Sequence, residues 1–157
     1  MVDSCDVGGG TIWYAMGVSL YLKGVVEVPP LKIIALIMRR KPLAEGIAMA
    51  LKSHMAGELK THIITNHKLA CAYIEQYQPE LAVVEIAESG PYDATSCLEL
   101  CDEIRRQVPF CKLLTICPES DKDEINQCVS AKRRGMIDDF VFYDASLDYL
   151  VSKILSI

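Results

Sequence analysis

From Leu31 onward the sequence alternates five times between a short apolar run and an amphipathic segment, and this limits the fold more than any other feature. The apolar runs are LKIIALIM (Leu31 to Met38), LKTHIIT (Leu59 to Thr65), LAVVEI (Leu81 to Ile86), KLLTIC (Lys112 to Cys117) and DFVFY (Asp139 to Tyr143). Several are apolar at nearly every position, not at every second one. Strands of that kind are buried on both faces, as in a parallel sheet covered by helices.

The intervening segments carry helix signals. Pro42 opens the first, with Leu43, Ile47, Ala50 and Leu51 on one stripe. Asn66 is an N-cap for a helix ending near Gln78, in which Leu69, Tyr73 and Tyr77 recur at i, i+4, i+8. A third helix runs from about Thr95 to Gln107 and stops before Pro109. Asp121 to Arg134 form a fourth, with Ile125, Cys128, Val129 and Lys132 on one side and Gly135 closing it. Ser146 caps the last, which carries Leu147, Leu150, Val151 and Ile154. Right-handed crossovers turn this order into a doubly wound α/β sandwich, whose ligands sit at the carboxyl ends of the strands. The residues there are Arg39 and Arg40 after the first strand, Glu85 at the third, Cys117 at the fourth and Tyr143 at the fifth. Glu85 is the least expected of them, because a carboxylate ending an apolar strand is costly unless something uses it.

Val28-Pro29-Pro30 separates this region from a Gly-rich, aromatic leader. Two segments follow: a leader, 1–30, and a domain, 31–157. The leader is a flexible arm, an extra docking element or the product of an upstream start codon. Its Gly8-Gly9-Gly10 is not a phosphate loop, since no strand precedes it and no Lys-Ser/Thr follows. No apolar run reaches the ~20 residues that span a bilayer. The run from Thr11 to Leu22 is too short, and Asp3 and Asp6 precede it where a signal peptide carries positive charge. A cytoplasmic protein with no membrane contact is expected. The net charge of −5 argues against direct nucleic-acid binding. Lys132-Arg133-Arg134 then reads as a solvated helix end that suits the helix dipole.

The seven cysteines are odd in number, and Cys71, Cys97, Cys101, Cys111, Cys117 and Cys128 mostly sit among apolar residues. Free core thiols are expected. Cys97 and Cys101 are spaced i, i+4, but His54, His62 and His67 are scattered and supply no zinc set.

Three further stretches resemble the receiver domains of bacterial response regulators, especially those that precede LuxR-type helix-turn-helix modules. RRKPLAEG (Arg39 to Gly46) is similar to that family's D-D-H-P-L-x-x-E-G with one residue missing. PELAVVE (Pro79 to Glu85) stands where the family has P-D-V-V-L-M-D, at the family's spacing from Asn66. YDAS (Tyr143 to Ser146) is similar to K-D-A-S. The resemblance implies a flavodoxin-like fold: a doubly wound five-stranded parallel sheet in the order 2-1-3-4-5 with helices on both faces.

It also implies a pocket of five groups. Two acids and an aspartate hold Mg²⁺, the aspartate accepts a phosphoryl group, and a hydroxyl and a lysine bind that group. This sequence departs at every position. Arg39 and Arg40 replace the acid pair, Glu85 the aspartate and Tyr143 the lysine. Cys117 falls at the hydroxyl position once an insertion in GPYDATS is allowed. Two guanidiniums repel a divalent cation that wants oxygen ligands. Without the metal, charge developing on a transferred phosphoryl group loses its main stabiliser.

The expectation is a degenerate pocket with no catalytic residues, cofactor or metal, in which Glu85 either pairs with Arg39 or Arg40 or points into solvent. The chain would be a stand-alone, non-enzymatic pseudo-receiver with no output domain after its last helix. It would act by self-association or through a protein partner, at the face made by the fourth helix, fifth strand and fifth helix. The alternatives are a conventional phosphorylatable receiver using acids such as Glu88, Asp93 and Glu119, or a small flavodoxin-like domain that binds a nucleotide or other anion.

Overall fold

The computed structural model describes residues 12–15, 18–21, 32–55 and 57–157. Backbone contacts divide the chain into two units, Met1–Leu31 and Lys32–Ile157. In the first unit, strands Ile12–Ala15 and Val18–Tyr21 pair antiparallel, with Ala15 opposite Val18. Sequence reasoning places no strand there. The signal was a pair of β-prone runs, IWYA and VSLY, two residues apart, which is hairpin spacing. The Gly8-Gly9-Gly10 run lies outside the described residues. So does most of the leader, and with it the choice among arm, docking element and start-codon artefact.

The second unit runs β1 (Lys32–Ile37), α1 (Lys41–His54), β2 (Leu59–Ile64), a 3₁₀ turn (His67–Leu69), α2 (Ala70–Tyr77), β3 (Leu81–Glu85) and α3 (Ala94–Gln107). It continues with β4 (Lys112–Cys117), α4 (Lys122–Arg133), β5 (Asp139–Phe142) and α5 (Leu147–Ser156). All five strands are parallel, in the order β2-β1-β3-β4-β5. This is the doubly wound sheet that the alternation predicts, in the flavodoxin-like order 2-1-3-4-5 that the resemblance implies.

Side-chain parity distributes the core. Leu36, Val83, Leu114 and Ile116 face the helices α1 and α5. Ala35, Val84, Leu113 and Cys117 face α2, α3 and α4. Every residue of β3 is buried, as the central strand of a sheet covered on both faces must be. The register then fixes the strand ends: Glu85 lies beside Ile116, and Cys117 lies beside Phe142. No helix among the described residues is long and apolar enough to cross a membrane.

Helix ends follow local chemistry. The side chains of Asp93, Asp121 and Ser146 each accept a backbone N–H in the first turn of α3, α4 and α5. At the end of α4, Gly135 takes φ 75° while Met136 N–H bonds Ala131 O and Gly135 N–H bonds Lys132 O. That left-handed step is the one glycine makes without strain.

Two expected stripes shift. Asn66 caps the 3₁₀ turn, not α2, by accepting from Lys68 N. The extra turn rotates the helix so that it buries Ala70 and Ile74, leaving Leu69 60% exposed. Tyr73 and Tyr77 lean instead over the edge strand, with ring centroids 5.0 and 5.4 Å from that of His62. On α4 the buried positions are Glu124, Cys128 and Ala131, and Lys132 points out to bond Asp139 at 2.6 Å.

Cys97, Cys101, Cys111, Cys117 and Cys128 are buried free thiols, and Cys71 is half-buried. Burial pushes the Cys97 and Cys111 thiols up to about 12, so neither is a nucleophile at neutral pH. Native full-length chain treated with iodoacetamide at pH 8 and mapped by mass spectrometry should be modified within 32–157 at Cys71 alone. The five core thiols should react only after unfolding in urea.

Candidate functional site

Three elements meet at the carboxyl end of β3. Because β1 neighbours β3 in the sheet, the loop after β1 arrives beside Glu85, although 45 residues separate Arg40 from it. Glu85 is only 3% exposed, so its carboxylate needs partners. It has three donors. Arg40 backbone N–H bonds Oε2 at 3.0 Å, and Arg40 Nε bonds Oε1 at 2.9 Å. The Tyr143 hydroxyl approaches Oε1 at 2.9 Å and Ile86 O at 2.6 Å, so one phenol proton lies between two acceptors. The Arg40 guanidinium also stacks on Tyr143, with Cζ 3.9 Å from the ring centroid.

The electrostatics agree with this geometry. Burial pushes the Tyr143 phenol above its ordinary value, although contact with Arg40 pulls the other way. Tyr143 is therefore a neutral donor at physiological pH. Burial works against the charge on Arg40, but its interactions with Tyr143 and Glu85 outweigh that and raise its pKa.

A second layer lies beneath. His67 Nε2 lies 3.3 Å from the backbone carbonyl of Glu85, and the Cys97 thiol lies 3.4 Å from the same oxygen and 3.2 Å from Tyr92 O, its one proton between two acceptors. The His67 ring stacks on Tyr92 with centroids 4.1 Å apart. A carbonyl only accepts, so Nε2 carries the proton and buried Nδ1 is left without a partner. Burial lowers the His67 pKa more than the carbonyl bond raises it. Sequence reasoning left His67 among scattered histidines. The signal for it was its place one residue past the Asn66 cap, where the β2–α2 connection passes the end of β3.

Of the five residues singled out in the sequence, Arg40, Glu85 and Tyr143 come together. Arg39 lies at the rim of the same cleft with its Cζ 5.8 Å from the Tyr92 ring. Cys117 does not join them. It lies on the opposite face of the sheet from Glu85, is fully buried, and bonds Pro118 O. The cleft has a volume of about 440 Å³ and is bordered by Arg39, Arg40, Glu85, Ala87, Glu88, Ser89 and Tyr143.

These residues do not fit a divalent cation. Arginine and a neutral phenol are not ligands for Mg²⁺, and the Glu85 oxygens already accept from Arg40 and Tyr143. Among the described residues no group of three His, Cys, Asp or Glu side chains is placed to hold a metal ion.

No protein-family model matches the sequence, and no curated protein matches it. Solved structures do match, and response regulators and their receiver domains are among them. A LuxR-family DNA-binding response regulator from Staphylococcus aureus is 20% identical with a TM-score of 0.64, the match covering 80% of this chain and 98% of that one. A CheY-like response regulator receiver domain protein from Methanospirillum hungatei JF-1 is 16% identical with a TM-score of 0.65, covering 80% and 92%. A response regulator protein from Burkholderia pseudomallei, with a phosphorylated aspartic acid, a calcium ion and citrate, is 17% identical with a TM-score of 0.62, covering 78% and 66%. At these identities the likeness shows a shared fold.

Two outcomes check the site. Glu85→Gln keeps the shape but removes the charge from a buried acceptor of three donors. It should cost about 1–3 kcal/mol in urea unfolding, less than a fully buried pair because Arg40 is 56% exposed. An unchanged midpoint would rule out the pair. For His67 the folded pKa is depressed, so the unfolded chain takes up the proton first. Stability should fall as pH drops below the ordinary histidine value of about 6.5. In His67→Asn that acid-side loss should flatten, as followed by melting temperature against pH.

Proposed function

We propose that this chain is a receiver-like module of two-component signalling that works without phosphorylation chemistry. It acts by associating with itself or with a protein partner. The observation that carries this reading is the Glu85 carboxylate, held by both the backbone and the side chain of Arg40 and approached by Tyr143. In receivers the corresponding acids and lysine, by resemblance, cage a metal and a phosphoryl group. Here a guanidinium takes the metal's place and neutralises the carboxylate directly. An ion-paired carboxylate with its oxygens occupied is a poor nucleophile, and no metal offsets the charge of an incoming phosphoryl group.

The reading is of a non-catalytic, cytoplasmic module. The surface proposed for its partner is the α4–β5–α5 face. There α5 leaves Leu147 41% and Tyr149 54% exposed, large side chains of the kind that anchor protein contacts. Tyr143 belongs to the same region and bonds to the pocket.

The test is incubation of the full chain with ³²P-acetyl phosphate and Mg²⁺. No stable label is expected, and Mg²⁺ up to 10 mM, a roughly hundredfold excess over protein, should leave the melting temperature unchanged. Stoichiometric, hydroxylamine-sensitive label on Glu85 would end the proposal.

A further inference from the structure

The pairing of Arg40 with Glu85 uses only part of the guanidinium. Nε bonds the carboxylate, while Nη1 and Nη2 have no hydrogen-bond acceptor among the described residues. An arginine engaged through Nε retains an end-on fork of two N–H groups, directed away from its first partner. The side chain of Arg39, beside it, is exposed and has neither ion pair nor hydrogen bond among the described residues, though its Cζ lies 5.8 Å from the Tyr92 ring. Both arginines border the same cleft of about 440 Å³. So does Ser89, whose hydroxyl is also uncommitted among the described residues. Glu88 lies on the rim but forms no ion pair with either arginine, and its charge acts on Glu124.

We infer that this cleft is a non-covalent, metal-independent binding site for a phosphate group, free or as a small monoester, gripped by Arg39 and the outer fork of Arg40. The chemistry selects this class. Two guanidinium forks and a hydroxyl offer more donors than the two oxygens of a monocarboxylate can accept. A tetrahedral dianion has enough oxygens to meet them all. A cation is refused by the same arginines. The volume exceeds that of a phosphate ion and leaves room for a small organic substituent. The inference rests on the metal-free pairing of Arg40 with Glu85, because that contact turns the guanidinium fork outward. Arg39 takes no part in that pairing, so it can be changed without breaking it.

The test is calorimetric titration of the full-length chain with sodium phosphate, and separately with glycerol 3-phosphate, in EDTA at constant ionic strength. One saturable equivalent is expected. Arg39→Ala should weaken binding about tenfold or more, as loss of a charge-assisted bond does, and Arg39→Lys should recover part of it. Saturation by glycerol 3-phosphate with the same dependence on Arg39 supports an ester as the ligand. Saturation by inorganic phosphate alone supports the free ion. The inference is overturned if sodium chloride at matched ionic strength reproduces the signal, or if Arg39→Ala binds as tightly as the parent. Failure here, with Glu85→Gln still destabilising and acetyl phosphate still inert, removes the ligand and leaves the proposed function standing. A requirement for Mg²⁺ in phosphate binding would remove both.

Discussion

The contact between Arg40 and Glu85 sets the character of this domain. A carboxylate buried at the end of the central strand would, alone, oppose folding by several kcal/mol. The parallel sheet solves this through topology. Placing β1 beside β3 brings the β1–α1 loop to the buried acid, and its first turn offers both a backbone N–H and a guanidinium. Tyr143, which follows β5, completes the set from two strands away. His67 and Cys97 fasten the Glu85 backbone from below. The acid is therefore fixed at both its carbonyl and its side chain, by residues from three strand-to-helix connections and from α3.

Much of this is legible in the sequence. The near-continuous apolar runs, the caps and Gly135 encode the sheet and its helices directly, because each signal is local. Handedness makes the sheet doubly wound, and the order of its strands follows from the resemblance. The identity of the strand-end residues followed from where runs stop. The choice between Arg39 and Arg40 was not legible, since neighbouring residues on a loop point different ways and only the turn into α1 decides which reaches Glu85.

Cys117 is a different case, and its misplacement had a readable signal. Leu114 and Ile116 share one face, and Glu85 lies beside Ile116 in register. A side chain one step further along β4 must point to the other side. Counting where the strand stops located Cys117 at the correct end of the sheet; counting parity would have removed it from the cleft. The turn of α2 failed for a related reason. Asn66 was identified correctly as a cap, but it caps a 3₁₀ turn whose three residues shift the phase of everything after it. The hairpin at Ile12–Ala15 and Val18–Tyr21 has a weak sequence signal, because each run has only four residues and no Asn-Gly or Asp-Gly pair joins them.

A switch needs two states whose free energies a signal can reorder. In a site built of carboxylates, metal and phosphate supply that difference, because each changes the local charge by at least one unit. Here the charge of Glu85 is already answered from within the chain, so neither metal nor covalent phosphate is needed to settle it. At the rim, Arg39 has no ion pair among the described residues, while Arg40, paired with Glu85, keeps an exposed edge. From the rim the contacts run inward: the Arg40 guanidinium stacks on Tyr143, Tyr143 bonds the backbone after β3, and three residues beyond Tyr143 the side chain of Ser146 caps α5.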